Sequence, residues 1–186
     1  CNPDANKKIE APAMSPSEVS ANAMAAADLN KDGVLDANEL AKVPSLRDGL
    51  TQLDTNNDKK ISAEEIEQWL TKIKDSNVGL MSFSCTVQLN KTPLAKATIT
   101  LIPEPWLGTT FKQSSGVTDA NGIAALKVEG SDLPGIPCGF YRVEISLKDE
   151  SGKESLPRKF NAESTLGVAV SPAGRGTSDR VFQVTK

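Results

Sequence analysis

The segment Asp28-Leu29-Asn30-Lys31-Asp32-Gly33-Val34-Leu35-Asp36-Ala37-Asn38-Glu39 carries side-chain oxygens at loop positions 1, 3, 5, 9 and 12 and a glycine at position 6. Calcium is a hard cation that takes about six to eight oxygens, and a tight loop turns alternate residues toward one centre. Asp28, Asn30 and Asp32 supply side chains, Val34 its carbonyl, Asp36 a bridging water, and Glu39 both carboxylate oxygens. Gly33 permits the positive φ that the sharp turn needs. The pattern returns 26 residues later in Asp54-Thr55-Asn56-Asn57-Asp58-Lys59-Lys60-Ile61-Ser62-Ala63-Glu64-Glu65. There the ligands are Asp54, Asn56, Asp58, the Lys60 carbonyl, Ser62 and Glu65. Lys59 stands at the glycine position, and three ligand acids replace four, so the second of two calcium sites is expected to be the weaker.

The flanks have the helical period that such loops require. A helix is expected from Ser17 to Ala27. Ser45 is expected to cap another, in which Leu46, Leu50 and Leu53 recur on one face. After the second loop Ile66, Trp69, Leu70 and Ile73 repeat the stripe, which makes Trp69 a core residue. Pro44 cuts short the helix leaving the first loop, and Leu35 and Ile61, at position 8 of each loop, are expected to pair across a short strand contact. Residues 17 to 79, with the loops and helices inside 17 to 74, resemble a compact paired EF-hand of the kind found in exported bacterial proteins.

From Leu80 the period changes to alternation. Runs at 83–89, 97–102, 115–118, 123–128, 140–147, 166–171 and 180–185 read as seven strands separated by turn residues. In the fifth, Tyr141, Val143, Ile145 and Leu147 share one face and Arg142, Glu144 and Ser146 the other. Asn90 to Pro93 and Asp119 to Gly122 read as turns, each closing a strand pair, with Asp119 and Asn121 as turn formers. The order LNKTPLAKATITLIPE, GVTDANGIAAL, GIPCGFYRVEISL is similar to the transthyretin-like or carboxypeptidase regulatory-like sandwiches. The implied fold class is α+β and multidomain: a tether at 1–16, an EF-hand pair at 17–79, and an all-β, seven-stranded Greek-key sandwich of transthyretin or immunoglobulin type at 80–186. Some transthyretin relatives hydrolyse a purine-pathway intermediate with histidines. Histidine is absent from this chain, so that activity does not transfer.

The same absence removes the commonest general base, triad member and zinc ligand, and a non-catalytic protein is expected. The formal charge is −3, with the acid gathered around the loops. The bases are scattered, without the basic stripe that nucleic acid requires. No run approaches the roughly 20 apolar residues that span a bilayer. Cys1, followed by the polar Asn2-Pro3-Asp4-Ala5-Asn6-Lys7-Lys8, resembles a bacterial lipoprotein after signal-peptide removal, which implies lipidation at Cys1, membrane attachment through that lipid alone, and an exported place at the cell envelope. Cys85 and Cys138 would then form an even pair. A disulfide between them and two buried free thiols are both open readings.

The expected function is a calcium-binding exported lipoprotein, with calcium stabilising the helical part and the sandwich contacting a protein or matrix partner. Chelation is then expected to unfold residues 17 to 74 and leave the sandwich standing. The alternatives are a carbohydrate-binding surface module, with Trp106 as the contact residue unless it folds back onto the sandwich, and a calcium sensor or buffer.

Overall fold

The computed structural model describes residues 11–173 and 180–185. Cys1 and its polar tether lie outside them, and among the described residues no helix is long and apolar enough to cross a membrane. The chain forms α1 (Pro16–Ala27), β1 (Val34–Leu35), α2 (Ala37–Leu40), α3 (Pro44–Leu53), β2 (Ile61–Ser62) and α4 (Ala63–Asp75). It then continues as β3 (Ser84–Leu89), β4 (Thr92–Pro93), β5 (Thr98–Pro103), β6 (Ser114–Val117), β7 (Ile123–Ala125), β8 (Lys127–Val128), β9 (Gly139–Ser146), β10 (Leu166–Val170) and β11 (Arg180–Val184).

α4 shows why these sequences become helices. Ser62 caps it reciprocally with Glu65, Glu64 sits in the first turn and Lys72 and Lys74 in the last, and Ile66, Trp69, Leu70 and Ile73 are buried. Opposite charges at the two ends suit the helix dipole, and each large apolar side chain removed from water contributes roughly 1.5–3 kcal/mol. α2 is only four residues long, and Pro44 opens α3 at its first turn. Ser45 is not the cap. The capping position is Val43, which has no side-chain cap bond, and the Ser45 hydroxyl instead donates to Glu104 Oε1 at 2.6 Å.

Two sheets follow, β10-β9-β5-β6-β8 and β11-β3-β4, with β7 also paired to β3. Among the described residues they hold nine strands rather than the expected seven, and β11 runs parallel to β3. Two local causes account for the extra strands. Asn90 and Lys91 both have positive φ (51° and 68°), so a two-residue turn folds Thr92–Pro93 back onto β3, the geometry that hairpins favour. The run 123–128 breaks at Leu126, which is 2% exposed and whose N–H donates to Phe83 O. β7 therefore lies in one sheet and β8 in the other. The Asp119 turn accordingly carries the chain between sheets instead of closing a hairpin. Asp119 Oδ1 accepts the N–H groups of Asn121 and Ile123.

Tyr141, Val143 and Ile145 point into the core between the sheets. The opposite face of β9 is also covered at one end. Phe140 is fully buried, its ring packed in tilted contact with Trp69 of α4 at 4.3 Å and with Trp106 at 5.1 Å between centroids. The helices thus form a third layer sharing one apolar core with the sheets.

For Trp106 and the cysteine pair the structure decides between the readings that the sequence leaves open. Trp106 is 8% exposed in a short 3₁₀ turn (Pro105–Leu107), so it caps the sheet and cannot offer a sugar-stacking face. Cys85 and Cys138 are free and buried; they are not bridged. Cys85 lies within β3, whereas Cys138 precedes β9 of the other sheet. Burial pushes both thiols up to about 12, which leaves them protonated and inert.

Candidate metal centre

Each loop begins where a helix ends. Asp28 and Asp54 are the residues that terminate α1 and α3, their N–H groups donating to Met24 O and Leu50 O at 2.9 Å. From there the two loops share most of their hydrogen bonds, the Lys31 N–H bond to Asp28 Oδ1 and the Asn30 N–H bond to Glu39 Oε1 belonging to the first loop only. Asp32 N–H reaches Asn30 Oδ1 at 2.8 Å, and Asp58 N–H reaches Asn56 Oδ1 at 2.8 Å. Gly33 N–H donates to Asp28 Oδ2 at 3.0 Å, and Lys59 N–H to Asp54 Oδ2 at 2.9 Å. Val34 N–H meets Asp32 Oδ1 at 3.0 Å, and Lys60 N–H meets Asp58 Oδ1 at 2.8 Å. Asn30 Nδ2 and Asn56 Nδ2 donate to Asp32 and Asp58.

The backbone agrees with the bonding. Position 4 has φ of 61° at Lys31 and 62° at Asn57; position 6 has φ of 86° at Gly33 and 64° at Lys59. Lys59 therefore accepts the left-handed conformation, which costs a side-chain-bearing residue on the order of 1–2 kcal/mol. The turn is held by the donors around it despite that cost. The loops also touch: Leu35 pairs with Ile61 and Val34 with Ser62 as an antiparallel two-residue ladder, both apolar partners fully buried.

The closing carboxylates are placed by the helices that follow. Glu39 and Glu65 are each only 5% exposed. Glu39 accepts Leu29 and Asn30 N–H on Oε1 and Asp36 N–H on Oε2, while Asp36 accepts Asn38 and Glu39 N–H in return. In the second loop Glu65 takes Thr55 N–H on Oε1 and Ser62 N–H on Oε2, both at 2.9 Å. The hydroxyls of Thr55 and Ser62 add two further donors. Ligand positions 9 and 12 are three residues apart, so Asp36–Glu39 and Ser62–Glu65 are also reciprocal helix caps. Thr55 is the one side-chain participant not read from the sequence; its position beside Asp54 carries no spacing signal.

Charge follows this bonding. Burial raises the Glu65 carboxyl, but the donors from Ser62 and Thr55 outweigh it and hold the group below the ordinary range. Backbone N–H groups of Glu39 and Asn38 lower Asp36.

The carboxylates are spent on loop N–H groups, and among the described residues no three Asp, Glu or Cys side chains gather as a ready-made metal cage. The donor chemistry nonetheless suits a hard cation. Every candidate ligand in both loops is oxygen, from carboxylate, amide, hydroxyl or main-chain carbonyl.

Among known protein families, the EF-hand model matches residues 21–44, which include the whole first loop and most of α1. No curated protein sequence matches the chain. Among solved structures, BcpA, the major pilin subunit of Bacillus cereus, aligns at 16% identity with a TM-score of 0.32 over 57% of this chain and 30% of that one. A single-residue variant of the same pilin aligns at 17% identity with a TM-score of 0.33 over 57% and 29%. This chain thus spans about a third of the pilin's length. The EF-hand match implies calcium as the ion of the first loop.

Proposed function

We propose that this protein is non-catalytic and binds calcium at two sites, Asp28 to Glu39 and Asp54 to Glu65, with calcium holding the helical layer in shape against the β layers. The observation that carries the reading is the second loop. It lies outside the family match and has lysine at the glycine position, yet it repeats the first loop's N–H bonds at positions 5, 6 and 7 and its positive φ values at the same offsets. A chance acidic turn has no reason to accept that strain. Two ions would bring four positive charges to a chain of formal charge −3 and offset carboxylate repulsion concentrated in the loops. The β layers are read as the part that meets a protein or matrix partner, on a protein anchored at the cell envelope.

Isothermal calorimetry of the full chain with calcium chloride tests the core of this reading. Two binding events are expected, the tighter abolished by Glu39→Gln and the weaker by Glu65→Gln. No heat at millimolar calcium overturns it, and a larger loss from Glu65→Gln than from Glu39→Gln reverses the ranking.

A further inference from the structure

Among the described residues β10 is the outer strand of its sheet, hydrogen-bonded to β9 on one side only. Its sequence, Leu-Gly-Val-Ala-Val, has no charge, proline or bulge to deter pairing, and an edge of that kind is a template for another strand. α3 lies along it. Arg47 donates to Thr165 O at 3.1 Å, and Asp48 Oδ2 accepts the Ala169 N–H at 3.0 Å. Asp48 also forms a two-point ion pair with Arg180 of β11, so one carboxylate joins α3 to both sheets. One turn further on, Gln52 accepts the Ser171 hydroxyl at 2.6 Å.

The fit between helix and strand depends on two glycines. A Cβ at Gly167 would overlap the backbone of Pro44 and Ser45, and one at Gly49 would sit 3.0 Å from Ala169 Cβ. The same helix ends at Asp54, the first ligand of the second loop, six residues or roughly 9 Å beyond Asp48.

We infer that α3 is a calcium-controlled cover on the open edge of the five-stranded sheet. The inference rests on calcium occupying the second loop. With the ion bound, the C-terminal end of α3 is fixed and its Asp48 carboxylate stays on the Ala169 N–H. Without it, the loop and the end of α3 loosen together and the β10 backbone opens to water. Chelation therefore reaches the sandwich, contrary to the expectation that residues 17 to 74 would unfold alone.

Hydrogen exchange of residues 166–170 in the full chain, with calcium and with excess chelator, tests this alongside calorimetry. Exchange is expected to be at least tenfold faster in chelator. Asp48→Ala, which leaves no side-chain acceptor for the Ala169 N–H, is expected to keep calcium uptake while exchanging in calcium as fast as chelated wild type. Glu65→Gln, which leaves the α3 contacts in place, is expected to lose the calcium-dependent protection. Calcium uptake with less than a twofold change in exchange, or full protection retained in Asp48→Ala, overturns the cover while leaving calcium binding intact. Absence of uptake overturns both readings.

Discussion

Gly167→Ala is a one-methyl test of whether the helical layer and the sandwich form a single unit. The obstruction is backbone: Ser45 N, Pro44 C and, at 2.7 Å, Ser45 Cα. A rotamer change cannot relieve it. Either β10 and α3 shift together, at the roughly 1–3 kcal/mol typical of overpacking, or α3 lifts. Lifting forfeits the Asp48 bond to Ala169 and the Ser45 bond to Glu104, each a hydrogen bond to an acidic side chain and worth up to about 1.5–3 kcal/mol when that side chain is ionised. The expected loss is about 3 kcal/mol. For a chain of this size that corresponds to a fall in Tm of roughly 6–12 °C.

Urea unfolding should be followed by tryptophan fluorescence and far-UV circular dichroism. Trp69 and Trp106 both flank Phe140 at the layer junction, so fluorescence reports the junction and dichroism the whole chain. The two curves should move together. Gly130→Ala is the control: its φ of 76° makes alanine strained, yet a Cβ there meets nothing within 4 Å, so its loss should be about 1 kcal/mol. A loss below about 0.5 kcal/mol at Gly167, or a shift seen by fluorescence alone, would refute the claim of a shared, closely fitted core.

Other outcomes follow from the same structure. Lys59→Gly removes the strain at φ 64°, offset in part by the entropy of glycine, and should raise stability in calcium by about 0.5–1 kcal/mol; a lower melting temperature would contradict it. Glu104 is raised above 4.5 by burial, against the Ser45 hydroxyl and the Arg142 charge. The folded protein therefore holds this proton more tightly than the unfolded chain does, and its contribution is favourable at acid pH and lost as pH climbs from 4.5 through the raised value. Glu104→Gln keeps an acceptor for Ser45 and should flatten that part of the curve of urea midpoint against pH; parallel curves for the two proteins would exclude the effect. Cys85 and Cys138, with thiols pushed up to about 12, should escape alkylation at pH 8 in native protein and label fully in urea, as read by peptide mapping. Rapid native labelling of either would show that the core opens.

The loops were legible in the sequence because they are local objects. Apart from the closing glutamates and the short ladder that joins the two loops, the bonds that shape them span no more than five residues, as from Gly33 to Asp28, so spacing alone specifies which atoms can meet. Helical and alternating periods likewise identified the buried stripe of α4 and the inward face of β9, since burial on one side imposes a period on the chain. Periodicity could not say that Phe140, on the outward face of β9, lies beneath Trp69, or that Trp106 folds onto it. Nor could it indicate that Ser45 would serve Glu104, 59 positions away, or that Asp48 would meet Arg180, 132 positions away. Those contacts depend on two surfaces fitting in three dimensions. Along the chain, the glycines that permit the fit at Gly49 and Gly167 look like any others.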